Sequence, residues 1–196
     1  MTSPPNLSEG PMQTGLAAFN AAEKISSEFL AISYGALVRQ MIDDLPQADD
    51  VEAVNQQLEA VGQRIGARLV EEFSMRSGAA PCRSFAQAAE SVAWVGFRMF
   101  LNLSAEVAPV KDSADAFSIT FYDNPLALFV ELPPGPLSGQ LWYSNILCGA
   151  IAGALTIVGF RCEVRFVCDK LRGDPKNEIT IHFKGRERET FQVEEK

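Results

Sequence analysis

Histidine is almost missing from this chain: His182 is the only one in 196 residues. Imidazole is the commonest metal ligand and the commonest base near neutral pH, so most zinc chemistry and most general-base catalysis are excluded. His182 falls at an outward position of an alternating segment and reads as a solvated surface residue. Cysteine is scarce too. Cys82, Cys148, Cys162 and Cys168 include no pair at C-x-x-C spacing, which excludes a zinc knuckle or a dithiol redox motif. Three of them fall in apolar stretches, where a free thiol behaves as a small hydrophobe, and the usage suits a reducing compartment. Positive charge is in deficit, with 17 Lys and Arg against 25 Asp and Glu, for a net charge of -8. Nucleic acid as a partner is excluded, because phosphates are held by clustered Lys and Arg. Long hydrophobic runs are absent as well. The longest, Ile146 to Phe160, is broken by Gly149, Gly153 and Gly159 and falls short of the roughly 20 residues that span a bilayer. No basic start with an apolar core suggests a signal peptide, and no phosphate loop or metal motif is visible.

What is present is ordinary globular material, 47% hydrophobic and 21% charged, enough for one domain with a core of its own. Pro4, Pro5, Gly10 and Pro11 lead to the expectation of a disordered tail over 1–20, a single domain over 21–185, and a charged mobile tail over 186–196. Ser26 and Ser27 offer a cap for a first helix to Leu45, with Leu30, Tyr34, Leu37 and Met41 on one face. Val51, Val54, Leu58, Val61, Ile65, Leu69 and Phe73 form the stripe of a second helix, closed by Ser77 and Gly78. Gly62 and Gly66 lie one turn apart in it. Each costs about 1 kcal/mol of helix propensity relative to Ala, so either another backbone or a ligand approaches there. A third helix, Phe85 to Leu101, is apolar nearly all round. Strands are expected over Ala116–Tyr122 and Leu126–Leu132, a fourth helix over Leu141–Val158, and a hairpin from Phe160–Cys168 and Ile179–Phe183. Helices and strands are segregated, so the fold class is α+β: helices packed on a small twisted antiparallel sheet, in the order helix-helix-helix-strand-strand-helix-strand-strand.

Cys82 alone among the cysteines lies outside an expected core element, in the polar break Arg76-Ser77-Gly78-Ala79-Ala80-Pro81-Cys82-Arg83-Ser84. Taken by itself it is an ordinary loop thiol.

The chain resembles the small subunits of the transport protein particle (TRAPP) complex, of the Bet-three type. The resemblance is carried by Tyr34-Gly35-Ala36-Leu37, by Gly62, Ile65-Gly66, Arg68-Leu69, Glu71 and Phe73, and by Cys82 with Phe85. It continues through Asn124-Pro125-Leu126, Phe129-Val130-Glu131-Leu132-Pro133, Tyr143-Ser144-Asn145 and Leu147-Cys148-Gly149. It implies a non-catalytic core subunit of a tethering complex in ER-to-Golgi vesicle transport. Such a subunit is cytoplasmic and peripheral on cis-Golgi and endoplasmic reticulum membranes. Its partners would be sister small subunits and, through the assembled complex, a Rab-type GTPase undergoing guanine nucleotide exchange, with a homodimer in isolation. The resemblance further implies a covalent palmitate on Cys82 as the one attached group, lying in a hydrophobic tunnel. Gly96 aligns with the small residue that keeps the tunnel open, and Phe85, Val92, Ala93, Gly62 and Gly66 are expected to line it. The tail after Gly185 is a candidate GTPase contact. Pro81 stands before the cysteine where relatives carry a basic residue. The other class of function is a stand-alone lipid or small-molecule binding module of related fold.

Overall fold

A computed structural model of the chain describes residues 9–45, 50–111, 113 and 115–186. Seven α-helices and four strands lie within them: α1 Glu9–Ala21, α2 Ser27–Asp43, α3 Val51–Ser77, α4 Phe85–Glu90, α5 Phe97–Leu101, β1 Glu106–Pro109, β2 Ala116–Phe121, α6 Pro136–Gln140, α7 Asn145–Ile157, β3 Phe160–Cys168 and β4 Asn177–Arg186. The strands form one antiparallel sheet in the order β1-β2-β4-β3. Helices pack on one side of it, as the expected α+β class requires.

The helix boundaries follow local chemistry. Ser26 caps α2 by accepting the Phe29 N–H at 3.0 Å. Asp50 does the same for α3 through Ala53, and Gly78 ends α3 in the left-handed conformation at φ 60°, where glycine carries no steric penalty. The main core joins Phe97, Ile119, Phe121, Cys148, Leu155, Phe160, Val164, Ile179 and Ile181 between sheet and helices. A second core gathers Tyr34, Val38, Val54, Leu58, Leu141 and Tyr143 around α2 and α3.

Three expectations are corrected. Residues 9–20, assigned to a disordered tail, belong to α1; Pro11 sits in its first turn, where its missing N–H costs nothing, and Gly15 and Ala18 are buried. Arg186, assigned to the second tail, ends β4, and the rest of the two expected tails, 1–8 and 187–196, lies outside the described residues. Leu126–Leu132 is not a strand. Asn124 accepts the Leu126 N–H at 3.1 Å and starts a single 3-10 turn, Pro125–Ala127. Within it Leu126 is buried, and beyond it Leu128 and Phe129 are exposed. The place beside β2 is taken by β1, with Val107 opposite Ile119.

The third correction concerns Gly62 and Gly66, which do not line a cavity. A Cβ on Gly62 would overlap the Ile146 carbonyl oxygen, and one on Gly66 the Ala150 carbonyl oxygen, both in α7. The relation is reciprocal: Gly149 and Gly153 of α7 press on the Glu59 and Gln63 carbonyls of α3. Four glycines thus bring two helix backbones into direct contact, and the helix-propensity cost of each is offset by packing.

Asn55 ties the same helices at their other end. It is 4% exposed. Its Oδ1 accepts the Trp142 N–H at 2.9 Å, its Nδ2 donates to the Gln140 carbonyl at 3.0 Å, and its backbone carbonyl accepts from Asn145 Nδ2 at 2.8 Å. Asn55→Ala leaves Trp142 N–H and Gln140 C=O unpaired, with an expected loss of about 2–3 kcal/mol in denaturant unfolding. A loss below about 0.5 kcal/mol would show that the α3–α7 glycine contact holds this junction without Asn55.

Candidate functional site

Cys82 lies in the loop between the Gly78 cap of α3 and the start of α4. Ser84 accepts the Gln87 N–H at 3.3 Å, while Gln87 Oε1 accepts the Arg83 N–H at 2.9 Å. These reciprocal bonds fix the chain directly after Cys82 against the first turn of α4. Cys82 Sγ is 3.5 Å from Ser91 Oγ. Ser91 opens a π-helical turn, Ser91–Gly96, that separates α4 from α5. Such turns are often found at functional sites because the extra residue re-aims side chains.

Beside the thiol is a cavity of about 380 Å³ whose lining includes Pro11, Pro81, Cys82, Glu90, Ser91 and Trp94. Cys82, Phe85 and Val92 are partly buried against the main core, and Ala93 belongs to that core; of these four, Cys82 alone also lines the cavity. Phe85 stacks on Phe183 of β4 at 5.2 Å and meets Phe117 of β2 edge-on at 5.4 Å. Gly96, at the end of the π turn, has open space: a Cβ there would meet only the Ser91 carbonyl oxygen, at 3.7 Å. Cys82, Phe85, Val92, Ala93 and Gly96 therefore lie on one stretch of chain, with Cys82 alone of the five on the cavity itself. Ser91, Glu90, Trp94 and Pro11 were missed from the sequence. Ser91 alone left a signal there, as a hydroxyl at the start of a very apolar run.

The other thiols are unsuited to nucleophilic chemistry. Burial pushes Cys148 far up, and Cys162 up to about 11. Cys168 is raised by burial and by the nearby carboxylates Asp174 and Glu178. A thiol held protonated at neutral pH is a poor nucleophile. Arg76 is held by Glu72 on its own helix, and Arg83 meets Arg186 through its backbone carbonyl at 2.9 Å. Phe183 lies under the sheet against Phe85, so its neighbour His182 is on the opposite face and does not pair with Cys82. Among the described residues, no group of three His, Cys, Asp or Glu could hold a metal, and no helix is long and apolar enough to cross a membrane.

A family model described as "Transport protein particle (TRAPP) component" matches residues 30–182, which include the whole lining of the Cys82 cavity except Pro11. The chain belongs to the TRAPP component family. Among relatives of this TRAPP chain, the transport protein particle subunit bet3 of Schizosaccharomyces pombe is 40% identical over 87% of this chain and 90% of its own length. The trafficking protein particle complex subunit 3 of Dictyostelium discoideum is 44% identical over 85% and 88%. A crystal structure of subunit 3 from Naegleria fowleri, covalently bound to palmitic acid, superposes with TM-score 0.79 at 45% identity, covering 85% of this chain and 100% of that one. The phenol-responsive sensory domain of the transcription activator PoxR shares the fold at TM-score 0.52 and 15% identity, covering 88% of this chain and 90% of that one.

Proposed function

We propose that this TRAPP chain is a non-catalytic core subunit of the TRAPP tethering complex and carries a fatty acyl thioester on Cys82, with the chain buried beside Gly96. The observation that supports it most is the thiol itself. Cys82 is partly buried at a cavity mouth, on the same segment as the open space at Gly96, and a 45% identical relative is covalently bound to palmitic acid. The attachment is a thioester exchange: Cys82 Sγ bonds the acyl carbon of a thioester donor, and the donor's sulfur leaves and takes up the proton. The subunit serves ER-to-Golgi vesicle transport on the cytoplasmic face of cis-Golgi and endoplasmic reticulum membranes, and it contributes to nucleotide exchange on a Rab-type GTPase only within the assembly. The tail after Gly185 is its candidate GTPase contact.

Assembly is favoured over a stand-alone binding module by exposed apolar side chains on α2 and just before it. Ile25 is 69%, Phe29 65% and Ile32 64% exposed, which suits a face that sister subunits or a second copy would cover. Affinity purification of the tagged chain from its own cells, read by mass spectrometry, is expected to return sister small subunits in stoichiometric amount. A stable monomer with an exchangeable, non-covalent fatty acid would contradict it.

Gly96→Leu should fill the open space and prevent the acyl chain from entering. Loss of the acyl mass increment, with cooperative unfolding retained, is the expected result. A normal increment on that variant would move the chain elsewhere.

A further inference from the structure

The cavity at Cys82 has a wall that lies outside the family match. α1 precedes the matched residues 30–182, yet it is seated against the π turn. At Gly15 a Cβ would stand 2.9 Å from both Arg98 Cβ and the Val95 carbonyl oxygen, so the α1 backbone itself makes the contact. Ala18, three residues on and on the same face, is 5% exposed. One turn before Gly15, Pro11 lines the Cys82 cavity together with Trp94. The seat is small: within α1 only Gly15 and Ala18 are buried, and Leu16 remains 41% exposed. Residues 22–26, which join α1 to α2, have no regular structure and are mostly exposed. A helix with two small residues fully buried, with Pro11, Met12, Thr14 and Phe19 only partly so, and with an exposed joint opens locally at lower cost than the core does.

We propose that α1 is a strap over the Cys82 cavity. Docked at Gly15 and Ala18, it completes the outer wall with Pro11; swung away about residues 22–26, it leaves the thiol open to bulky reagents. The strap governs access to the thiol whether or not an acyl group is ever attached, so its failure and the failure of acylation are separable.

The test uses the full chain after hydroxylamine has removed any thioester. Labelling of Cys82 by a polymer-linked maleimide is followed over time, with the site read by peptide mass because three other thiols are present. Gly15→Leu, which cannot fit against Val95 and Arg98, and Ala18→Asp, which would bury a charge, are both expected to label about tenfold faster than wild type, as a shift of a local opening equilibrium. Gly10→Ala, where a Cβ meets nothing within 4 Å, should label at the wild-type rate. Thermal melting establishes that each variant compared keeps a cooperative core. Wild-type labelling rates in a strap variant that still melts cooperatively would overturn the proposal, as would equal acceleration in Gly10→Ala.

Discussion

Gly66→Ala is expected to lower the melting temperature by about 6–12 °C, the equivalent of roughly 3 kcal/mol in a domain of this size. The reason is local and geometric. The added methyl would occupy the position of the Ala150 carbonyl oxygen, and the carbon and Cα of the same residue lie directly behind it. All three are backbone of α7, so no side-chain rotation relieves the overlap and the helices must part. Parting them loosens Gly62 against Ile146, Gly149 against Glu59 and Gly153 against Gln63, because these contacts belong to one interface. The same substitution at Gly96, in protein freed of thioester by hydroxylamine, should act in the opposite sense. There the methyl has room, and alanine in a helix interior gains up to about 1 kcal/mol over glycine. Differential scanning of the two variants side by side separates the roles of the two glycines. A nearly neutral Gly66→Ala would show that the helices are farther apart than described.

The acyl chain should matter more to stability than any single side chain. Each buried methylene contributes about 0.8 kcal/mol, so a sixteen-carbon chain has an upper bound on the order of 10 kcal/mol. Collapse of the space such a chain leaves would recover part of that, as it does after large-to-small core substitutions. Half of the bound, about 5 kcal/mol, still corresponds to a difference of roughly 10–20 °C between acylated wild type and Cys82→Ser. Phe85, Val92 and Ala93 already abut the main core, so a chain beside them would be continuous with that core and poorly available as a membrane anchor. Equal melting temperatures for the two proteins would show that the chain, if attached, lies outside.

Much of this was legible in the residues. The Ser26 cap, the Val51, Val54 and Leu58 stripe, the Gly78 stop and the alternation of β3 and β4 all appear where their chemistry puts them. Each is written in contacts between near neighbours in the chain. What failed depends on partners distant in sequence. Leu126–Leu132 has strand-like residues, but the edge beside β2 is filled by β1, a four-residue strand ending in Pro109 that is too short to announce itself. The first twenty residues looked like a tail because glycine and proline punctuate loops. Gly15 is there to let α1 approach the Val95–Arg98 turn, which lies some eighty positions away in the chain. For the site, Cys82 and its loop could be read from the sequence, and Gly96 came with the resemblance. Gly62 and Gly66 were ambiguous, because a small residue records that something comes close without recording what. Only the fold shows that α7 comes close to these two. The π turn that sets Ser91 against the thiol has no sequence signature of its own.

Intact mass of the purified protein, before and after hydroxylamine, tests the acyl assignment most directly. An increment of about 238 Da, the addition for a palmitoyl thioester, is expected in wild type, lost on hydroxylamine treatment and missing from Cys82→Ser. A wild-type mass equal to that of the bare chain, from cells that acylate a 45% identical relative in parallel, would contradict it.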